Sequence, residues 1–117
     1  MDVKVALMIS LLAFPALAKE SNNNSQNYNL ENFALSMCLA KGFSDNEVKK
    51  DAFSAVNAYV ELGSYPAEAY EEADNLIKEF LAKKYVGKNR NSEFIVMKCI
   101  DASRSKELKK IEQKYAY

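Results

Sequence analysis

The chain has only two cysteines, Cys38 and Cys99, and both lie in apolar segments. They are separated by 61 residues, which excludes a CxxC redox motif. The sequence has no histidine, so a cysteine nucleophile would lack its usual base, and zinc would lack its usual nitrogen ligand. We interpret the pair as a structural disulfide, with reduced core thiols and cysteine chemistry as the alternatives.

The N-terminus has the pattern of an export signal. The apolar run VALMISLLAF follows Lys4 and is shorter than the roughly 20 residues that span a bilayer. Small residues at Ala16 and Ala18 suit a cleavage site. We predict a signal peptide over residues 1–18, cleaved after Ala18, with an uncleaved anchor as the alternative. An exported chain meets an oxidising compartment, which favours the disulfide, and we expect the mature form to be free of the membrane.

The remaining sequence indicates one domain. Residues 19–28 are polar and low in complexity, so we predict a disordered tether, followed by a single domain over residues 29–117. The whole chain carries 16 acidic and 16 basic residues, a balance that disfavours nucleic-acid binding. Acidic residues are concentrated before Lys83 and basic residues after it.

Three helices are predicted in the first part of the domain from apolar residues at helical spacing. Asn29 is a candidate N-cap of the first helix, and the sequence SDNE, beginning at Ser44, resembles a capping box for the second. Leu62 closes the apolar face of the second helix. Pro66 suits the first turn of the third. The predicted inward residues are Leu30, Phe33, Ala34, Met37, Cys38, Val48, Ala52, Ala55, Val56, Tyr59, Ala69, Tyr70, Ala73, Leu76, Ile77, Phe80, Leu81 and Tyr85.

Two shorter helices are predicted after a loop over residues 86–92. Ser92 is a candidate cap of the fourth helix, and a break is predicted over residues 101–105. The predicted inward residues are Ile95, Val96, Cys99, Ile100, Leu108, Ile111 and Tyr115. No segment alternates as a strand would, so we predict an all-α fold, a compact antiparallel bundle of about five helices with one disulfide.

Few residues suggest chemistry. Glu68, Glu71 and Glu72 have helical i, i+3, i+4 spacing, which could support acid–base work or weak calcium binding, although a solvated face at a helix start is the simpler interpretation. Tyr65 stands at a turn between Ser64 and Pro66. It is either an exposed interface anchor or part of a turn that folds back onto the core.

Three segments resemble a known family: NFALSMCLAKGF, DAFSAVNAYVELGSYPAEAYEEADNLIKEFLAKKYVGK and MKCIDASRSKEL. The chain resembles the periplasmic immunity proteins that neutralise type VI secretion amidase effectors, the fourth Tai group, also called Rap-type. The resemblance implies an all-helical fold, a paired disulfide, a homodimer and no enzymatic activity. We also expect no cofactor and no metal, since two sulfurs without a histidine make a poor metal site. It also implies a papain-like cysteine amidase as partner, with one immunity dimer binding two effectors as a heterotetramer.

The resemblance places the inhibitory contacts after the second helix. Two regions match: residues 63–74, and the loop over residues 87–92. The candidate effector-binding residues are Ser64, Tyr65, Glu68, Glu71, Glu72, Lys88, Asn89 and Arg90. An alternative class is a periplasmic acid-stress chaperone, which would expose apolar surface near pH 2–3, and a third is an inhibitor of a lysozyme.

Overall fold

The protein is described here by a computed structural model that covers residues 28–88 and 91–116. This part of the chain forms five α-helices and no strand. They are α1 (Asn29–Gly42), α2 (Asn46–Leu62), α3 (Ala67–Ala82), α4 (Ile95–Ser103) and α5 (Lys106–Lys114). The prediction of an all-α fold is confirmed. The predicted signal peptide, and the predicted tether up to residue 27, lie outside the described residues.

Helix α1 is the centre of the fold, because α2, α3 and α4 all pack against it, while α5 packs on α3. Two hydrogen bonds show that α1 and α2 run in opposite directions. At one end the Asn29 Nδ2 donates to the carbonyl of Tyr59 at 2.7 Å. At the other end the Lys49 Nζ donates to the carbonyl of Ala40 at 2.7 Å.

The predicted apolar stripes supply the core. The buried cluster is Leu30, Phe33, Ala34, Cys38, Val56, Ala73, Leu76, Ile77, Phe80, Cys99, Ala102 and Leu108. Several members are alanines, whose small side chains let neighbouring helices approach closely. Burial of this apolar surface is the main favourable contribution to folding.

Cys38 of α1 and Cys99 of α4 form the predicted disulfide, with a Cα–Cα distance of 5.4 Å. Both side chains are fully buried. The bond joins the central helix to a helix of only nine residues, which is too short to be stable alone in water.

Three predicted caps are wrong. Asp45, rather than Ser44, caps α2, and its carboxylate accepts the N–H groups of Glu47 and Val48 at 2.9 and 3.0 Å. An aspartate caps a helix as well as a serine does, so SDNE permits both registers. Asn29 lies inside α1 with its side chain turned towards α2. Ser92 organises the turn before α4 instead, where its hydroxyl accepts the N–H of residue 94 at 3.1 Å.

The inward face of α4 also differs from the prediction. Val96 and Ile100 are 52% and 39% exposed, whereas Lys98 is only 6% exposed. The Lys98 Nζ donates to the carbonyl of Leu81 at 3.2 Å. The last carbonyl groups of a helix have no partner within the helix, and the Lys98 ammonium group supplies one for Leu81. Its positive charge is also stabilised by the negative C-terminal end of the α3 dipole.

The C-terminal part of the chain, from the end of α4 onwards, also differs from the prediction. Helix α4 continues to Ser103, so the predicted break narrows to Arg104 and Ser105. Ser105 caps α5, its hydroxyl accepting the N–H of Leu108 at 3.1 Å. Tyr115 follows the end of α5 and is half-buried rather than part of a helical stripe.

Candidate functional site

The turn between α2 and α3 is closely tied to both helices. The N–H of Gly63 donates to the carbonyl of Tyr59 at 3.0 Å and so closes α2. Pro66 has an extended backbone directly before α3, and its carbonyl accepts the N–H of Ala69 at 3.0 Å. We call residues 62–66 the tip.

Tyr65 folds back onto the body of the protein. It is half-buried against the core cluster. Its ring meets Tyr70 edge to face at a centroid distance of 6.2 Å, and Tyr70 in turn meets Phe33 at 4.7 Å. Of the two interpretations of this turn, the structure shows the one in which the aromatic ring packs inward. Contact between Tyr65 and an effector stays a prediction, as does contact through the exposed Ser64.

Leu62 is the apolar residue that the tip exposes. Its side chain is 72% exposed, although its spacing predicted the inward face of α2. The reason is the length of the partner helix: α1 begins at Asn29, which reaches Tyr59 and Gly63. Helix α2 ends beside Asn29, the first residue of α1, so α1 does not cover Leu62, the last residue of α2. Periodicity alone could not reveal this, because it does not show where a neighbouring helix starts.

The three candidate carboxylates, Glu68, Glu71 and Glu72, differ in exposure and in hydrogen bonding. Glu68 and Glu71 are exposed on the first turns of α3. Glu72 instead joins α3 to the C-terminal end of α5. Its two carboxylate oxygens accept from the Lys114 Nζ at 3.1 and 3.2 Å, and the Tyr115 hydroxyl donates a further hydrogen bond. The bond from Tyr115, followed by that from Lys114, lowers the pKa of Glu72 below its ordinary value.

This lowered pKa predicts a pH dependence for the tie between α3 and α5. A carboxyl group whose pKa is lower in the folded state contributes stability above the unfolded pKa of 4.5, and this contribution is lost as the pH falls through the folded pKa. The variant Glu72→Gln should therefore be less stable than the wild type at pH 7. The difference should shrink on acidification to below pH 4.5. Urea unfolding of the wild type and Glu72→Gln at several pH values from 7 to below 4.5 measures this difference in stability. A difference that does not change with pH would contradict the contribution assigned to the Glu72 carboxylate.

The second candidate region is the segment between α3 and α4. Lys88 is exposed, whereas Asn89 and Arg90 lie outside the described residues. The start of the segment is anchored on α4, because the Tyr85 hydroxyl donates to the Asp101 carboxylate at 2.5 Å. Next to it Val86 is 97% exposed.

The structure does not bring the two candidate regions together within one chain. The tip precedes α3 and the second region follows it. Helix α3 has 16 residues, which corresponds to a length of about 24 Å at 1.5 Å per residue. A single effector groove would have to be long to contact both ends of the same α3.

The described residues offer no constellation for metal chemistry. Within residues 28–88 and 91–116, no group of three or more histidine, cysteine, aspartate or glutamate side chains could hold a metal ion. In the same part of the chain, no helix combines the length and apolar character needed to cross a membrane. What the arrangement does offer is a tied turn that exposes Leu62, followed by a helix whose first turns expose Glu68 and Glu71, which suits binding.

Comparison with known proteins decides the family. Residues 28–112 match the model of the Tai4 family, the amidase immunity proteins of the type VI secretion system. This match covers most of the chain. The chain belongs to the Tai4 family. No curated protein sequence matches the chain at a significant level.

Solved structures agree with this assignment. The chain is 38% identical to a chain in the structure of the effector–immunity system Tae4/Tai4 from Salmonella typhimurium, with a TM-score of 0.71, over 78% of this chain and 89% of that one. A complex of Tae4 from Salmonella typhimurium with Tai4 from Enterobacter cloacae gives 27% identity and a TM-score of 0.65, over 72% and 86%. The Tae4–Tai4 complex from Enterobacter cloacae gives the same identity and TM-score, over 72% and 85%. The resemblance seen in the sequence is confirmed, and the chaperone alternative is not favoured.

Proposed function

We propose that this protein binds and inhibits a type VI secreted peptidoglycan amidase by occluding the catalytic groove of that effector. Membership of the Tai4 family supports an immunity protein that acts by binding rather than by catalysis. The observation that carries the proposed mode of binding is the tip, where Leu62 is 72% exposed on a turn tied to two helices. We propose the periplasm as the site of action, reached through the predicted signal peptide.

Occlusion of a groove favours a protruding element that is already ordered. Each flexible side chain or loop that must be ordered on binding weakens the affinity. The tip has few residues and is bonded to the ends of α2 and α3, so little ordering is needed. An exposed leucine can then enter an apolar part of the effector groove, while Glu68 and Glu71 are exposed on the helix that follows the tip.

A homodimer that binds two effectors is part of the proposal. The tip and the second candidate region lie at opposite ends of α3, so one chain presents them far apart. Two copies of the chain could present the tip of one protomer and the second region of its partner to the same effector. Lys88, Asn89 and Arg90 would then add cationic and polar contacts.

The direct test mixes the oxidised mature chain with Tae4 amidases from Salmonella typhimurium and Enterobacter cloacae. These are suitable probes because Tai4 from one of these species forms a complex with Tae4 from the other. We expect a stable complex and loss of peptidoglycan hydrolysis at an equimolar ratio, with light scattering reporting two immunity chains and two effectors. Unchanged hydrolysis by both amidases at a large excess of this protein would refute the proposed function.

The exposed carboxylates predict electrostatic steering of the effector. The double variant Glu68→Lys/Glu71→Lys should slow association about tenfold at low ionic strength, because charges at the rim of an interface act mainly on the association rate. Glu72 is left unchanged, since its reversal would also break the tie to Lys114. Stopped-flow mixing at several salt concentrations measures the effect.

A matched control reverses two carboxylates at the other end of α2, Glu47→Lys/Asp51→Lys. Both are exposed in the first turns of a helix, as Glu68 and Glu71 are, so the change in net charge and the cost at the helix dipole are similar. Equal slowing by both pairs would show that net charge alone is responsible and that the acidic start of α3 has no special role.

A further inference from the structure

A buried amide side chain lies behind the tip. Asn29, the first residue of α1, is only 3% exposed. Its Nδ2 donates to the carbonyl of Tyr59 at 2.7 Å, and its Oδ1 accepts from the Tyr70 hydroxyl at 2.9 Å. A buried amide is costly unless its hydrogen bonds are made, and these two bonds join the starts of α1 and α3 to the last turn of α2.

The same groups enclose the backbone of the tip. The carbonyl of Tyr59 accepts both the Asn29 Nδ2 and the N–H of Gly63. A Cβ at residue 63 would overlap the amide of Asn29 and the hydroxyl of Tyr70. Glycine is needed here for space rather than for its dihedral angles, since φ is −89°. The chain therefore leaves α2 over the Asn29 side chain, directly after Leu62.

We propose that Asn29 is a positioning residue for effector binding, which holds the tip in the geometry that the effector groove accepts. This inference rests on the proposed function. The Asn29 side chain is too deeply buried to contact an effector, so its influence must pass through Tyr59, Tyr70 and the backbone of Gly63. Without its two hydrogen bonds the tip samples several geometries, and binding must then select one of them.

The experiment compares Asn29→Ala with Ser105→Ala. Ser105 also makes two side-chain hydrogen bonds, accepting the N–H of Leu108 and donating to the carbonyl of Ala102 at 2.8 Å, but both partners lie three residues from Ser105 and neither belongs to the tip. Ser105 lies at the N-terminal end of α5, whereas the contacts with Glu72 are at the C-terminal end of this helix. Both variants lose side-chain hydrogen bonds at a helix start, but only Asn29→Ala alters the tip.

Affinity for the Tae4 amidases is measured at a temperature where circular dichroism shows that all the proteins are fully folded. We expect Asn29→Ala to raise the Kd about tenfold or more, mainly through faster dissociation, and to speed hydrogen exchange of the backbone amides of residues 63–65. Ser105→Ala should leave the Kd within twofold of the wild type. If Asn29→Ala lowers the unfolding temperature but keeps the wild-type Kd, its role is structural only and the inference is wrong.

A second variant tests the hydrogen bonds themselves. In Asn29→Asp the carboxyl group can donate to the carbonyl of Tyr59 only when it is protonated, and burial favours the protonated form. The ratio of the Kd of this variant to that of the wild type should fall at least threefold between pH 7.5 and pH 5. A ratio well above one that does not change with pH would overturn the inference. If the wild type itself binds neither amidase, the proposed function fails instead, so the two failures are distinguishable.

Discussion

Replacing Cys38 and Cys99 together by alanine should lower the free energy of unfolding by about 4 kcal/mol. The disulfide closes a loop with a sequence separation of 61. In the chain-entropy description, opening a loop of this size returns about 4 kcal/mol of conformational freedom to the unfolded chain. Small domains are stable by only about 5–15 kcal/mol, so the variant should be close to unfolding at physiological temperature.

Urea unfolding of the oxidised wild type and the double alanine variant measures this difference. The wild type treated with a reducing agent is the control, because it loses the same constraint while keeping both sulfur atoms. We expect the two to be destabilised to a similar extent. A loss below about 1 kcal/mol in both would show that the link between α1 and α4 adds little to the stability of the fold.

Local patterns predicted the helices well because each one carries its own signals. The spacing of apolar residues predicted that Cys38 and Cys99 both lie on inward helix faces. In the structure the two helices bring the sulfur atoms together in a disulfide. The pattern was less informative about α4. Its nine residues are apolar around much of the circumference, so periodicity could not choose between Val96 and Lys98 for the inward side. Packing against the end of α3 made that choice.

The candidate site was harder to predict because its features come from distant parts of the chain. Glu68, Glu71 and Glu72 look alike in the sequence. Only the fold brings Lys114 and Tyr115 to Glu72, across sequence separations of 42 and 43 residues. Asn29 likewise resembles an ordinary N-cap, and its bonds depend on how α1 meets the junction of α2 and α3.

The tip illustrates the same limit. A tyrosine next to a proline suggested an exposed anchor, and a leucine on an apolar stripe suggested a core residue. In the structure Tyr65 packs against Tyr70, while Leu62 is 72% exposed. Tyr65 is covered by Tyr70 of α3, and Leu62 lies at the end of α2, where α1 begins. Both outcomes depend on tertiary packing.

The variant Leu62→Asp should weaken effector binding about 100-fold, or about 3 kcal/mol. The proposed complex buries this side chain in the effector groove, and an aspartate there would be an unpaired charge removed from water, which is strongly unfavourable. The stability of the free protein should change by less than about 0.5 kcal/mol, as is usual for substitutions at exposed positions. Calorimetric titration with a Tae4 amidase measures the affinity, and urea unfolding measures the stability.

Val48→Asp provides the control, since it adds the same charge at the opposite end of α2. Val48 was predicted to face inward but is 39% exposed. This variant should leave the affinity within about twofold of the wild type. Light scattering on the free variants separates a direct contact from an effect on the dimer, because a direct contact predicts an unchanged mass for Leu62→Asp. Wild-type affinity in Leu62→Asp would exclude the tip from the effector groove. The exposed segment after α3, with Val86 and Lys88, would then have to provide the inhibitory contact.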